Sequence, residues 1–375
     1  MILQFGTGNF LRGFADLFAD ELGIGPVVAV QSTGRDRSAL LNRSGGRYHV
    51  AIQGIAGGRV VDETIEVRSI SRALFAATEW DEVLAVARDP DLVAILSNTT
   101  EAGFVLEEAD AKRGAGAPAS FPAKLLAVLV ARSEAGLPAP WILPCELIEG
   151  NGARLKDLVL AQAGRWEVGG ETVAWLANEC RWLNTLVDRI VPGPPRQHPL
   201  LGIDPLLIMT EPFALWAVET VEPAFPFAGH PAVVLAPDIT SYSLRKIRIL
   251  NGAHTALVGR ALGSGLETVR ECLDDPEVGA WLEGLLFEEI VPVLEGRCDD
   301  PAGFARAVLE RFRNPFLEHR LASIALNHET KVVTRLRPTL HEYHERFGEE
   351  PPRLAALMSE PWGGGARPDR VIPSL

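Results

Sequence analysis

Lysine, asparagine and histidine stand at a spacing that could place three reactive side chains on one side of a helix. They are Lys246, Asn251 and His254, and mostly apolar residues separate them. At about 100° per residue, all three fall within about 140° of one another on an α-helix. Burying polar groups costs free energy unless they are hydrogen-bonded, so a stripe of this kind often lines a site.

These residue types suit proton-coupled chemistry on an alcohol or a carbonyl group. A lysine whose pKa is lowered exchanges a proton with a hydroxyl group, whereas arginine stays charged at working pH. An amide and an imidazole donate hydrogen bonds to an oxygen on which negative charge builds during hydride transfer. The alternative interpretation is an exposed lysine, a capping asparagine and a histidine packed in a core.

A glycine turn near the start of the chain indicates a nucleotide-binding site. An apolar run over 2–5 leads into Gly6 and Gly8, and an amphipathic helical pattern follows over 14–22. Such glycines let the backbone approach a pyrophosphate at the start of a helix. The third glycine of the usual fingerprint is displaced to Gly13, so a tight turn without a ligand is the alternative.

The residues after the second predicted strand, 26–30, leave the choice of nucleotide open. Asp36 could bind the ribose hydroxyls of NAD, whereas Arg35 or Arg37 could bind the 2′-phosphate of NADP. Solvated loop charges would give the same sequence.

Polar residues follow two further apolar runs that we predict to be buried strands. Asn98 and Thr99 follow the run over 92–96, and Glu146 follows the run that begins at Trp141. Ligands of α/β sheets bind outside the carboxyl ends of the strands. We therefore predict that Asn98 and Thr99 contact a cofactor and that Glu146 contacts a substrate.

The order of the patterns predicts an α/β fold with two domains. Strands and helices alternate as far as a proline- and glycine-rich cluster over 191–195, and helical patterns dominate beyond it. We predict a Rossmann-type parallel sheet domain over 1–193 and a mostly α-helical domain over 194–375.

Composition excludes several classes of partner. The net charge of −13 argues against a nucleic-acid ligand, and no apolar run reaches the length of a membrane span. Four scattered cysteines and the absence of a secretory signal predict a cytoplasmic protein. His341 and His344 have no third ligand nearby, so no metal site is predicted.

The sequence resembles the mannitol dehydrogenase family, the polyol-specific long-chain dehydrogenases. Lys246, Asn251 and His254 match the family's Lys-x4-Asn-x2-His signature. Three further segments match its nucleotide turn, its junction motif and a late motif, in that order: 6–13, 184–191 and 311–315. The resemblance implies a Rossmann domain, a helical second domain, NAD(H) as cofactor and no metal.

The resemblance also implies roles for individual residues. Lys246 would be the general acid/base, Asn184 and Asn251 would stabilise the alkoxide, and His254 would position the oxygen. The predicted cofactor contacts, from the resemblance and from the patterns above, are Gly6, Gly8, Asn9, Phe10, Asp36, Asn98 and Thr99.

Three segments, 97–103, 144–148 and 249–255, are most similar to family members that interconvert tagaturonate and altronate. A uronate carboxylate needs a cationic partner, and Arg313 and Lys331 are the candidates. The pairs fructuronate/mannonate and fructose/mannitol remain alternative substrates. A non-catalytic nucleotide-binding sensor remains the alternative of another class.

Overall fold

The computed structural model describes residues 1–32, 34, 38–99 and 101–359, which form two compact units. Unit 1 comprises Met1–Ile52 and Asp62–Ile239, and unit 2 comprises Gln53–Val61 and the chain from Thr240 onward. The division lies after Ile239 rather than after residue 193, where the sequence predicted it. The proline- and glycine-rich cluster is a loop within unit 1, because strands that follow it pair with earlier strands of that unit.

Twelve strands and seven α-helices build unit 1 over its described residues. The strands are β1 (Ile2–Phe5), β2 (Val27–Gln31), β3 (Tyr48–Ala56), β4 (Arg59–Val67), β5 (Ile70–Phe75), β6 (Ala94–Ser97), β7 (Trp141–Pro144), β8 (Arg181–Trp182), β9 (Thr185–Asp188), β10 (Ile208–Thr210), β11 (Leu215–Glu219) and β12 (Val233–Ala236). The helices are α1 (Asn9–Arg12), α2 (Ala15–Leu22), α3 (Ser38–Arg43), α4 (Trp80–Ala87), α5 (Phe121–Glu134), α6 (Asn151–Arg165) and α7 (Gly170–Asn178). The hairpin of β3 and β4 includes residues 53–61, which cluster with unit 2.

The main sheet of unit 1 is parallel, with the strand order β5-β2-β1-β6-β7-β8. Phe5 of β1 is in register with Val30 and with Ser97, and Ser97 is in register with Pro144. The carboxyl ends of four neighbouring strands therefore meet at one edge. The chain order reverses between β1 and β6, which is the place where ligands bind in such sheets.

Apolar side chains cover both faces of this sheet, as its nearly continuous hydrophobic strands predict. Ile2 packs on one face, in a core with Phe14 and Phe18 of the α2 region. Leu3 and Phe5 point to the other face, in a core with α4, α5 and α6. These two layers hold the strand ends in place beneath the glycine turn.

Unit 2 is helical, apart from residues of the β3–β4 hairpin. Its α-helices are α8 (Thr240–Arg245), α9 (Gly252–Ala261), α10 (Val269–Asp274), α11 (Pro276–Gly284), α12 (Val291–Leu294), α13 (Pro301–Phe312), α14 (Leu321–Ile324), α15 (His328–Arg335), α16 (Arg337–Phe347) and α17 (Pro352–Ser359). Two π-helical segments, Lys246–Asn251 and Leu285–Ile290, interrupt this series. The predicted fold class, a Rossmann-type sheet domain followed by a mostly helical domain, is confirmed.

Within the described ranges, none of the helices combines the length and the apolar character that a membrane crossing requires.

Asp16 lies wholly buried beneath the glycine turn, and Gln4 links it to that turn. The Gln4 Nε2 group donates hydrogen bonds to Asp16 Oδ2 at 3.1 Å and to the Gly6 carbonyl at 3.0 Å. Burial raises the pKa of the Asp16 carboxyl from 3.8 to about 7, although the Gln4 hydrogen bond and the Arg12 charge oppose the shift.

We expect the free energy of unfolding to fall as pH rises through this range, because ionised Asp16 disfavours the folded state. The folded-state pKa is the higher one, so the penalty is absent below pH 3.8 and complete above about pH 7. In the wild type, the free energy of unfolding should fall by about 2 kcal/mol between about pH 5 and pH 7, and this decrease should be absent in Asp16→Asn. Urea unfolding at several pH values measures it, with the exposed Asp81→Asn as control. Equal slopes for wild type and Asp16→Asn would contradict the assignment.

Candidate active site

A cleft of about 410 Å³ opens at the carboxyl edge of the sheet in unit 1. It brings together four of the predicted cofactor residues, Gly6, Gly8, Asn98 and Thr99. Gly6 has a φ of +133°, and a Cβ atom there would approach Leu11 Cδ1 to 3.0 Å. A Cβ atom on Gly8 would meet nothing within 4 Å, so the turn leaves open space on that side. This backbone fits the close approach of a dinucleotide.

The end of β2 carries an amide where many dinucleotide sites have an acid. Gln31 lines the cleft, and its Oε1 atom accepts a hydrogen bond from the Thr7 hydroxyl. Asp36, which the sequence predicted as a ribose contact, lies outside the described residues, as do Arg35 and Arg37. The choice between NAD and NADP therefore stays a prediction from the sequence.

Two predicted cofactor residues lie beside this cleft rather than in its lining. The Asn9 Oδ1 atom accepts a hydrogen bond from Arg12 at 2.7 Å, and Asn9 lines a neighbouring cleft of about 440 Å³. Phe10 stacks on Phe14, with ring centroids 5.0 Å apart. Phe10 thus packs against the core that supports α2, and a cofactor contact by either residue stays a prediction.

Lys124 lines the same cleft, although it was not among the residues predicted for the site. Its side chain is buried, and Nζ donates a hydrogen bond to the Ala119 carbonyl at 2.6 Å. Burial lowers the pKa of Lys124, while the negative charge of Asp110 opposes this shift. A lysine within the apolar stretch over 121–130, in a chain that otherwise uses mostly arginine, was the sequence signal that could have identified it.

Glu146 follows β7 and is buried, with 3% of its surface exposed. Its carboxylate accepts hydrogen bonds from the Thr99 backbone N–H, the Thr99 hydroxyl and the Ser97 hydroxyl. Burial raises the pKa of Glu146, and these hydrogen bonds act in the opposite direction. The predicted substrate contact would need an exposed carboxylate, whereas this one faces the end of β6.

Asn184 precedes β9, and both ends of its amide are engaged within unit 1. Its Oδ1 atom accepts from the Ala153 backbone N–H at 3.0 Å, and its Nδ2 group donates to Glu219 at 3.3 Å. Helix α6 and strand β11 therefore fix the orientation of this amide. The Nδ2 group has a second hydrogen, so the predicted hydrogen bond to an alkoxide is chemically compatible with these contacts.

In unit 2, Lys246 begins a π-helical turn and is buried, with 8% of its surface exposed. The Gly252 N–H donates to the carbonyl of Ile247, five residues earlier, rather than four. The angles assumed for an ideal α-helix therefore do not hold between Lys246 and Asn251. Short π-helical segments occur frequently at functional sites.

Asn251 and His254 follow on the same stretch of chain. Asn251 is half-buried, and its backbone carbonyl accepts the Thr255 hydroxyl at 2.8 Å. His254 is buried against Phe312 and His319, with ring centroids 4.2 and 4.6 Å away. Its Nε2 atom is buried, and no hydrogen-bond partner for it exists among the described residues. An unsatisfied imidazole nitrogen of this kind is a candidate for a ligand contact.

Burial and nearby basic groups both favour the neutral form of the His254 imidazole. Burial lowers the pKa of His254 well below the ordinary value, and the charges of His319, Arg311, Arg335 and Lys331 add to the effect. Lys331 donates a hydrogen bond to the Ile324 carbonyl at 2.7 Å, and burial together with Arg335 lowers its pKa. Unit 2 therefore offers positive charge next to a neutral hydrogen-bonding ring.

The other predicted cation, Arg313, stands in a different environment. It is exposed and forms an ion pair with Glu283 at 3.1 Å. Arg311, two residues earlier, is the one that is buried and within electrostatic reach of His254. Arg311 follows Val308 by three residues, on the apolar stripe of α13, and this spacing could have identified it.

Histidine, cysteine and acidic residues do not gather in threes that could hold a metal ion, as far as the described chain extends.

Two family models together match nearly the whole chain. The mannitol dehydrogenase Rossmann domain matches residues 1–226, and the mannitol dehydrogenase C-terminal domain matches residues 238–360. Among curated proteins, the chain is 41% identical to altronate oxidoreductase of Yersinia enterocolitica serotype O:8 / biotype 1B. It is 40% identical to altronate oxidoreductase of Bacillus subtilis (strain 168). Each alignment covers 96% of this chain and 78% of the relative.

Two solved structures share the fold. A substrate-free D-sorbitol dehydrogenase superposes with a TM-score of 0.81 at 22% identity, over 95% of this chain and 78% of that one. A mannitol 2-dehydrogenase of Pseudomonas fluorescens, in ternary complex with NAD and D-mannitol, superposes with a TM-score of 0.75 at 22% identity. That match covers 95% of this chain and 77% of the other chain.

Proposed function

Because the chain belongs to the mannitol dehydrogenase family, we propose that it is an NAD(H)-dependent oxidoreductase that interconverts tagaturonate and altronate. The observation that carries the proposal is the identity of about 40% with altronate oxidoreductases over 96% of the chain. The family itself was predicted from the Lys–Asn–His signature, and that prediction is confirmed.

Unit 1 would hold the cofactor with the residues that line the cleft beside the glycine turn. The open space over Gly8 would admit the pyrophosphate, and Asn98 and Thr99 would contact the ribose or the nicotinamide. When bound, the nicotinamide supplies the hydride for reduction of the keto group and takes it back in the reverse reaction.

Residues of the chain itself would handle the proton and the developing charge. In reduction, the Lys246 ammonium donates its proton to the oxygen of the keto group as that group becomes an alcohol. In oxidation, the neutral amine takes the same proton from the hydroxyl group. Asn184 and Asn251 would donate hydrogen bonds to this oxygen, and the neutral His254 would position it.

The cations of unit 2 favour a uronate over an uncharged ketose. Lys331, Arg311 and Arg335 all lie within electrostatic reach of His254. A sugar acid brings a carboxylate for which charge-assisted hydrogen bonds from such groups are strong. We therefore propose that Lys331, together with Arg311 and Arg335, binds the carboxylate. Arg313, which pairs with Glu283, is the weaker candidate.

The compartment would be the cytoplasm. All four cysteines are free thiols, which fits a reducing environment.

Steady-state assays with a panel of substrates test the proposed function. Purified chain would be mixed with NADH, or with NADPH, and with tagaturonate, fructuronate or fructose. We expect NADH oxidation to have the highest kcat/KM with tagaturonate. A higher kcat/KM with fructuronate or fructose would assign the chain to one of the alternative substrate pairs of the same family. Tight NADH binding without turnover of any of these compounds would support the nucleotide-binding sensor instead.

A further inference from the structure

Glu146 joins the carboxyl ends of two neighbouring strands at the cofactor cleft. It lies two residues beyond β7, and it accepts hydrogen bonds from residues at the end of β6. The Thr99 backbone N–H donates to Oε1 at 2.8 Å, and the Thr99 hydroxyl donates to the same atom at 3.1 Å. The Ser97 hydroxyl donates to Oε2 at 3.0 Å.

No ion pair to this buried carboxylate is found in the described part of the chain, so these donors carry its stabilisation. A buried carboxylate is costly unless its lone pairs are hydrogen-bonded. The bonds therefore tie the position of the Thr99 loop tightly to that of Glu146. Hydrogen bonds to a charged acceptor are also stronger than neutral ones.

The backbone of Gly103 also lies close to the Thr99 side chain. A Cβ atom built on Gly103 would come within 2.4 Å of Thr99 Oγ1, so glycine permits this close approach. The adjacent Asn98 is also fixed, because its Nδ2 group donates to the Cys145 carbonyl at 2.8 Å. The two loop residues that line the cleft are thus both held by the segment that carries Glu146.

We propose that Glu146 is a positioning residue for the cofactor: its carboxylate holds the Asn98–Thr99 loop in the shape that binds NAD(H), without touching the cofactor or the substrate. Glu146 is not part of the cleft lining, whereas Asn98 and Thr99 are. This role replaces the direct substrate contact predicted from the sequence. It rests on the proposed function, since unit 1 must bind NAD(H).

Equilibrium binding of NADH to the full chain tests this role. Glu146→Met keeps the side-chain length but removes both acceptors, and we expect the Kd for NADH to rise by about 10- to 100-fold. Glu146→Gln keeps an acceptor for Thr99 and should stay within about threefold of wild type. The KM for NADH should follow the Kd, with kcat nearly unchanged, which a general loss of folded protein would not produce.

Matched variants separate positioning from destabilisation. Glu149→Met is the matched control, because Glu149 is exposed and lies three residues beyond Glu146, and its Kd should match that of wild type. Thr99→Val is expected to weaken NADH binding, and the double variant Glu146→Met/Thr99→Val should lose no more than the stronger single variant. If the losses of NADH affinity in the two single variants add up in the double variant, Glu146 does not act through Thr99, and the proposal is overturned. If Glu146→Met does not fold, Glu146→Leu takes its place, and wild-type NADH affinity in that variant would overturn the proposal.

The two levels of inference fail in different ways. A wild-type chain that binds no NADH would overturn the proposed function, and with it the positioning role. A wild-type chain that binds NADH, together with an unchanged Kd in Glu146→Met, would overturn the positioning role alone.

Discussion

Lys246→Met is expected to lower kcat by about 10²- to 10⁴-fold, which is the usual contribution of a general acid or base. The methionine keeps the apolar stem that this buried position requires, so the fold should be preserved. The Kd for NADH should change little, because Lys246 is not among the residues that line the cofactor cleft. Steady-state kinetics and an NADH titration on the same preparation provide both numbers.

Lys112→Met is the matched control, since Lys112 is an exposed lysine of unit 1. Its kinetic constants should equal those of the wild-type chain. If Lys246→Met weakened NADH binding as much as it slowed turnover, Lys246 would be a structural residue, and the assignment of the acid/base would fail.

The second large effect is expected at the carboxylate end of the substrate. Lys331→Met should lower kcat/KM for tagaturonate by about 10²-fold, because it removes a charged partner from a partly desolvated carboxylate. The value for fructose, which has no carboxylate, should stay within about threefold of wild type. The ratio of the two kcat/KM values is therefore the informative measurement.

Arg306→Met serves as its control, because Arg306 is an exposed arginine on the same helix as Arg311. In this variant, kcat/KM should equal the wild-type value for both tagaturonate and fructose. Equal losses with tagaturonate and fructose in Lys331→Met would show that Lys331 supports the fold or the reacting carbon, and the carboxylate assignment would then be abandoned.

The sequence was sufficient to predict those elements whose structure depends on a single periodicity or a single apolar run. The apolar runs that form β1, β2, β6 and β7 are buried on both faces of a parallel sheet. The polar residues that follow these strands therefore lie at the same edge of the sheet. This geometry brought Asn98, Thr99 and Glu146 together as predicted. The same rule could not tell which of them faces the cleft and which faces the neighbouring strand, because that depends on side-chain packing.

The sequence was insufficient where the backbone departs from a regular period. The predicted angles between side chains assumed an α-helix, at about 100° per residue. The residue types at 246–251 do not indicate the wider π-helical turn that the structure has there. The choice between Arg311 and Arg313 depends likewise on how α13 is rotated about its axis. Proline- and glycine-rich clusters occur both in linkers between domains and in loops within a domain. The cluster near residue 193 could therefore not be assigned to one or the other from the sequence.

The wide helical turn at Lys246–Asn251 also bears on how the signature is read in other chains. Each hydrogen bond of such a turn spans one more residue than in an α-helix. The four residues between Lys246 and Asn251 span this turn, so their number sets the direction of the Lys246 side chain relative to Asn251. A related chain with one residue fewer here would retain all three signature side chains by type, yet it would present its lysine in another direction. We therefore expect the spacing of the three residues, as well as their types, to distinguish the relatives that share this arrangement.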